Sequence, residues 1–174
     1  MPASLSLRRY LIQQIAGAVV INSVMTIALT WWLTQHGKVP VWGEKGLVVE
    51  TLLAAIGVAL FTVLLATPVV RREAKRGKVE PLSWTTTSHA LLRYASHQTW
   101  WRAAVFSLAA ATFLAAPVIV AWVLIGPNEV SFATFFTFKV LFVLAVGTIV
   151  TPLNIIWVLT DRRSHGAAAR FGAT

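Results

Sequence analysis

Residues 47–70 read LVVETLLAAIGVALFTVLLATPVV and contain one charged side chain, Glu50. The stretch is longer than the roughly 20 apolar residues with which a helix crosses a bilayer core of about 30 Å. Lipid offers no hydrogen bonds to a backbone, so a spanning segment must satisfy its own N–H and C=O groups, as a helix does. These residues therefore predict a transmembrane helix.

Three further stretches are long and apolar, with at most one charged side chain each. Residues 10–37 and 103–127 carry no charged side chain, and residues 132–160 carry only Lys139. We predict an all-α, polytopic membrane protein with four transmembrane helices in one membrane domain, residues 1–174. The predicted helices cover residues 10–35, 47–70, 102–125 and 132–160.

The composition points to lipid as the main surroundings of the chain. Hydrophobic residues make up 57% of the sequence and charged residues 12%, whereas soluble domains carry about 25% charge. The net charge of +9 is explained by basic residues that flank membrane helices and meet anionic headgroups, and not by nucleic acid. The chain has no cysteine, which excludes disulfides, thiolate catalysis and cysteine-bound metals.

The basic residues also predict an orientation. Cytoplasmic flanks of membrane helices are enriched in lysine and arginine. Twelve of these residues fall on one side of the predicted helices, in the N-terminal tail, in the loop 71–101 with Arg102 directly after it, and in the tail 161–174. The other side has Lys38 and Lys45. We therefore expect both termini and the central loop in the cytoplasm, with the helices arranged as two hairpins.

The central loop contains an amphipathic segment. Residues at about 86–100 fit a short helix in the membrane interface, with Trp84, Trp100 and Trp101 as anchors near its ends. Tryptophan favours the headgroup layer, and amphipathic helices bind there. An ordinary solvated loop is the alternative.

The two hairpins carry related motifs. The second helix ends with Thr67-Pro68 before Arg71-Arg72, and the fourth carries Thr151-Pro152. Two hairpins that begin and end on the same side would form a parallel repeat, as found in some transporters. A chance match of two Thr-Pro pairs is the alternative.

The first hairpin also resembles a family of short, two-helix bacterial inner-membrane proteins that is uncharacterised. Ser23-Val24-Met25-Thr26 and Pro68-Val69-Val70-Arg71-Arg72 carry the resemblance. It implies a small protein of the bacterial inner membrane and adds no activity.

Polar groups within the spans are the candidate functional residues, because such groups are costly in lipid. Glu50 and Lys139 both fall near the outer boundary and would pair if the second and fourth helices are neighbours. Alternatively, each side chain reaches the interface separately. Gln14, Ala18, Asn22, Thr26 and Thr30 recur every four residues and so share one face of the first helix. That face either packs against other helices or forms the wall of a polar pathway.

The two prolines predict kinks. Pro68 and Pro152 each remove a backbone donor within or near the end of a span, and Asn154 can bond a freed carbonyl. Such kinks can act as hinges in transport, although many have no such role.

No enzyme chemistry is recognisable. The four histidines, at 36, 89, 97 and 165, lie at or outside the predicted span boundaries, and none forms the i, i+4 pair of a helical metal site. We expect neither a metal nor a cofactor.

The resulting hypothesis is a small permease or channel that acts as an oligomer. Its candidate pathway or gate residues are Asn22, Thr26, Glu50, Lys139, Thr151 and Asn154. The alternative is a non-catalytic structural or accessory subunit of a larger membrane complex.

Overall fold

The computed structural model describes residues 6–33, 37–79 and 98–160. Most of the predicted interfacial helix, the anchor Trp84 and the tail 161–174 lie outside these residues. The described chain forms five α-helices and two short strands. They are α1 (Leu7–Leu33), β1 (Lys38–Pro40), α2 (Leu47–Lys75), α3 (Thr99–Ala110), α4 (Ala116–Ile125), β2 (Glu129–Ser131) and α5 (Phe132–Leu159). A π-helical turn, Ala111–Ala115, joins α3 to α4.

Four helical segments are long and apolar enough to cross a membrane, as predicted. They are Leu7–Trp32, Leu47–Lys75, Thr99–Ile125 and Phe132–Leu159, the third being α3, the π-helical turn and α4 together. The prediction of an all-helical fold with four helices long and apolar enough to cross a membrane is therefore confirmed.

The helix boundaries differ from the predicted ones at the charged end of the bundle. α2 continues five residues beyond the predicted end at position 70, through Arg71 to Lys75. Arginine, glutamate, alanine and lysine are good helix formers, so the helix continues after the apolar stretch has ended. The third span begins at Thr99, so that Trp100 and Trp101 lie in its first turn, both exposed.

α2 and α5 form the centre of the bundle. α1 packs mainly against α5, and α3 packs mainly against α2. Ala55 and Ala59 of α2 are fully buried in the largest apolar cluster, which also includes residues of α3 and α5. Small side chains allow helices to approach closely, and hydroxyl groups can then bond across the interface. The Ser107 hydroxyl does so, donating to the Ile56 carbonyl at 3.2 Å.

The two short strands tie the α1–α2 and α4–α5 connections together at one end of the bundle. β1 and β2 pair antiparallel, with Val39 opposite Val130 and both side chains buried. Ser131 then caps α5 by accepting a hydrogen bond from the Thr134 N–H at 3.2 Å. We call this the strand end of the bundle. The opposite end, where Arg71, Arg72 and Lys75 lie on α2, is the basic end.

Three prolines lie within the spans. Pro117 is the second residue after the π-helical turn, and in a regular α-helix its ring would clash with the carbonyl of Phe113, which lies within that turn. The wider turn accommodates this clash. Pro68 and Pro152 lie inside α2 and α5, each of which continues as α-helix for seven more residues.

Candidate functional site: an open seam between α1 and α2

A crevice runs between α1 and α2, and α5 forms its floor. Its larger part, towards the strand end, has a volume of about 400 Å³, and its smaller part, towards the basic end, about 240 Å³. Asn22 lines both parts and donates a hydrogen bond to the Thr62 hydroxyl at 3.3 Å. We call this crevice the open seam. Its rims are apolar and consist of Ile21, Met25 and Leu29 of α1 with Leu53, Phe61 and Leu65 of α2.

The open seam is present because α1 packs mainly against α5 and because the side chains of α2 that face α1 are small. Ala54 and Gly57 line the crevice where α2 faces α1. A Cβ atom added at Gly57 would meet no atom within 4 Å. The missing side-chain volume leaves room that neither helix fills.

The corresponding space between the third span and α5 is filled by aromatic rings. The Phe106 and Trp157 rings lie 5.5 Å apart, and so do those of Trp122 and Phe138. The Arg102 guanidinium lies 5.9 Å from the centre of the Trp157 ring. We call this the filled seam. The two gaps in the bundle therefore differ. The open seam contains Glu50 and Lys139, whereas Arg102 is buried at the filled seam.

Glu50 and Lys139 meet inside the open seam. The Lys139 ammonium donates to the Glu50 carboxylate at 2.5 Å and lies 5.4 Å from the centre of the Phe135 ring. The Lys139 side chain is 14% exposed and that of Glu50 is 34% exposed. Because α2 and α5 are neighbours, the two side chains pair with each other and do not reach the interface separately.

The polar stripe of the first helix faces this crevice. Gln14 and Ala18 line its smaller part, Thr26 and Thr30 line its larger part, and Asn22 lies between them. The spacing of four residues therefore identified a single face, as predicted. Thr30 is 1% exposed, and its hydroxyl has no hydrogen-bond partner among the described residues.

The two remaining candidates lie on α5. The Thr151 hydroxyl lines the smaller part of the open seam, and no described residue bonds it. Asn154 is fully buried between α2 and α5, where its side-chain oxygen accepts a hydrogen bond from the Thr67 hydroxyl at 3.5 Å. Asn154 is therefore a contact between the central helices and does not line the crevice.

A second carboxylate of α2, Glu73, lies at the basic end and was not predicted from the sequence. Glu73 accepts hydrogen bonds from the Tyr10 hydroxyl at 2.7 Å and from the Gln14 side-chain amide at 3.1 Å. Glu73 was overlooked because the second transmembrane helix was predicted to end at residue 70. The signal was present in the sequence, since Glu73 continues the face of α2 that carries Leu65 and Val69, at i+4 spacing.

The described residues contain no group of three histidine, cysteine, aspartate or glutamate side chains placed to hold a metal ion. Comparisons with known protein families, curated proteins and solved structures find no match to this chain.

A double-mutant cycle tests the hydrogen bond that divides the open seam. We expect Asn22→Ala and Thr62→Ala to show a coupling of about 0.6 kcal/mol, the average for hydrogen bonds between membrane helices. Unfolding in mixed detergent micelles measures it. The cycle of Asn22→Ala with Thr148→Ala is the control, because the Thr148 hydroxyl bonds the carbonyl of Leu144 in its own helix. Equal coupling in both cycles would contradict the Asn22–Thr62 contact.

Proposed function

We propose that the chain is a small permease-type transport protein and that the open seam is its solute path. The observation that carries the proposal is the Glu50–Lys139 pair inside the crevice. Charged groups within spans are costly, and they commonly mark the paths of substrates or ions. A pair that served only packing would have no need of the empty volume beside it.

Further polar groups continue along the same crevice. From the ion pair towards the basic end they are Thr30, Thr26, the Asn22–Thr62 bond, Thr151 and the Gln14–Glu73 bond. Glu50 and Glu73 are 23 positions apart on α2, which corresponds to about 35 Å along a helix. This length exceeds the hydrocarbon core of about 30 Å. The polar groups therefore support a path from one side of a membrane to the other.

The basic residues support an orientation for this path. We place the basic end in the cytoplasm of a bacterium and the strand end outside the inner membrane, by the bias of lysine and arginine. The resemblance of the first hairpin to short inner-membrane proteins supports the same location.

Internal duplication of a helical hairpin is part of the proposal. The shift that brings Thr67 onto Thr151 brings seven of the nine buried residues of α2, Thr67 included, onto buried residues of α5. The antiparallel pairing of β1 with β2 and the packing of each first helix on the other hairpin's second helix support a two-fold arrangement. A parallel repeat has its axis along the membrane normal.

An accessory subunit of a larger membrane complex is the second candidate. It is favoured by the outer face of α1, where Val20 and Val24 are each 60% exposed. A neighbouring copy of the chain or a helix of another protein would cover this face. Either partner would also be consistent with the proposed oligomer.

Single-cysteine labelling in native membranes tests the solute path, and the cysteine-free chain is a clean background. We expect Asn22→Cys and Thr26→Cys to react with a membrane-impermeant thiol reagent, because the floor of a working path is hydrated. Ala110→Cys, buried in the cluster beside the filled seam, is the matched control and should stay unlabelled. Glu129→Cys, exposed at the strand end, reports which side of the membrane that end faces.

Protection of both Asn22→Cys and Thr26→Cys, with labelling at Glu129→Cys, would reject the solute path. The accessory-subunit hypothesis would then be pursued by crosslinking from α1.

A further inference from the structure

We infer that the solute is a zwitterionic membrane lipid, whose headgroup moves along the floor of the open seam while its acyl chains remain in the bilayer. This inference rests on the proposed function and names the substrate class of the same site. Four features carry it: the neutral charge pair, its depth, the apolar rims and the polar floor.

The charge pair selects for a ligand that carries both signs. Removing one partner of a pair that is shielded from water leaves an unpaired charge, which is strongly unfavourable. A ligand with a single charge that bound Lys139 or Glu50 would leave the other unpaired in the membrane. A headgroup with a phosphate and an ammonium can bond both side chains, so neither charge is left alone. Thr30 lines the same part of the crevice, and its buried hydroxyl, which no described residue bonds, supplies a further hydrogen bond.

The pair lies at the depth of a lipid headgroup. Glu50 is three positions inside the start of α2, which corresponds to about 5 Å. Trp31, Trp32 and Trp42 are exposed near the same end, and tryptophan marks the headgroup layer of a membrane. A lipid in the leaflet at the strand end therefore presents its headgroup at the level of the pair.

The rims suit acyl chains. Leu53, Phe61 and Leu65 are each exposed by more than half at the edge of the crevice. In a bilayer these side chains contact lipid, so the crevice is open sideways to the hydrocarbon core. From Leu53 to Leu65 the rim extends about 18 Å along α2, which is comparable to the depth of one leaflet in a core of about 30 Å. A tail can thus stay in the bilayer beside the rim while its headgroup is within the seam.

The floor offers hydrogen bonds beyond the entry point. Thr26 and the Asn22–Thr62 pair lie in the middle of the bundle, and the unpartnered Thr151 hydroxyl follows towards the basic end. At that end, Glu73 can accept a hydrogen bond from an ammonium group. A headgroup that moves from one leaflet to the other therefore exchanges one set of polar contacts for the next and is never surrounded by hydrocarbon alone.

Lipid movement in reconstituted vesicles tests this inference. The full chain is placed in phosphatidylcholine vesicles that hold a trace of acyl-labelled, fluorescent phosphatidylethanolamine or, in a second set, phosphatidylglycerol. Dithionite added outside bleaches only the outer leaflet unless the labelled lipid crosses. We expect the protein to move the zwitterionic label faster than the anionic one, so that nearly all of the zwitterionic label is bleached.

Variants separate the site from nonspecific effects on the bilayer. Glu50→Gln and Lys139→Gln should each slow the zwitterionic lipid about tenfold, as for the loss of about 1.4 kcal/mol of transition-state stabilisation. Gly57→Leu should block movement by filling the crevice without touching either charge, and its Cβ meets no neighbour. The matched control is Glu129→Gln, which removes the exposed Lys38–Glu129 pair of 3.5 Å at the same end and should leave the rate unchanged.

Three results would overturn the inference: no movement above that of protein-free vesicles, equal rates for both lipids, or full activity in Gly57→Leu. Size-exclusion profiles show whether each variant is folded. If Asn22→Cys and Thr26→Cys are labelled but lipids do not move, the solute path stands and the lipid substrate is rejected. If both cysteines are protected and lipids do not move, both proposals fail.

Discussion

Replacing Lys139 by leucine is expected to lower the free energy of unfolding by about 2–3 kcal/mol. The change leaves the Glu50 carboxylate without its partner at 2.5 Å, in a crevice with apolar rims. The expected loss is below the 3–5 kcal/mol of a fully buried pair, because the Glu50 side chain is 34% exposed. Unfolding in mixed micelles, monitored by tryptophan fluorescence, measures the change.

The double variant, Glu50→Leu with Lys139→Leu, gives the decisive comparison. It removes both charges together, so we expect its stability to return to within about 1 kcal/mol of the wild type. The exposed pair of Lys38 and Glu129 serves as the control, since surface pairs contribute about 0–1 kcal/mol. If the double variant lost the sum of the two single losses, the two side chains would not interact.

Ala59→Leu is expected to destabilise the bundle by about 2–3 kcal/mol, because extra methylene groups overpack a filled core. Ala59 is fully buried in the central cluster, where the larger side chain would push α2 away from its neighbours. Thermal unfolding in detergent measures the loss.

Gly57→Ala is the matched control two positions earlier on the same helix. Its new methyl group extends into the open seam and meets no atom within 4 Å. Alanine also favours a helix interior over glycine by roughly 0.5–1 kcal/mol. We therefore expect Gly57→Ala to be neutral or stabilising. A similar loss in both variants would mean that the crevice is closed in the folded protein.

The four spans were predictable because lipid imposes a simple rule. A long stretch without charges must form a helix, whatever its neighbours are. The exact ends were less predictable, as α2 shows. Arg71-Arg72 marked the end of the apolar stretch, yet the helix continues to Lys75 because those residues favour helix without needing lipid.

Part of the site was also predictable. The four-residue spacing of Gln14, Asn22 and Thr30 defines one helix face wherever that helix packs. The sequence does not say which neighbour the face meets, because stripes of small and polar residues suit any close helix contact. Tertiary packing determines that α1 contacts α5 and leaves a crevice towards α2.

The paired strands were beyond sequence reasoning. Lys38–Pro40 and Glu129–Ser131 have three residues each, and a strand of that length gives no alternating pattern to detect. Their pairing depends on the helices, which bring the α1–α2 and α4–α5 connections side by side. Glu73 was missed because it lies beyond the predicted end of the second span at residue 70, and its partner Tyr10 is 63 positions away in the chain.

The strand pair has a consequence for motion of the bundle. β1 and β2 hold the α1–α2 and α4–α5 connections together at one end. We therefore expect any separation of α1 from α2 to be smallest near Val39 and Val130 and largest at the basic end. There the Tyr10 and Gln14 hydrogen bonds to Glu73 would have to break first.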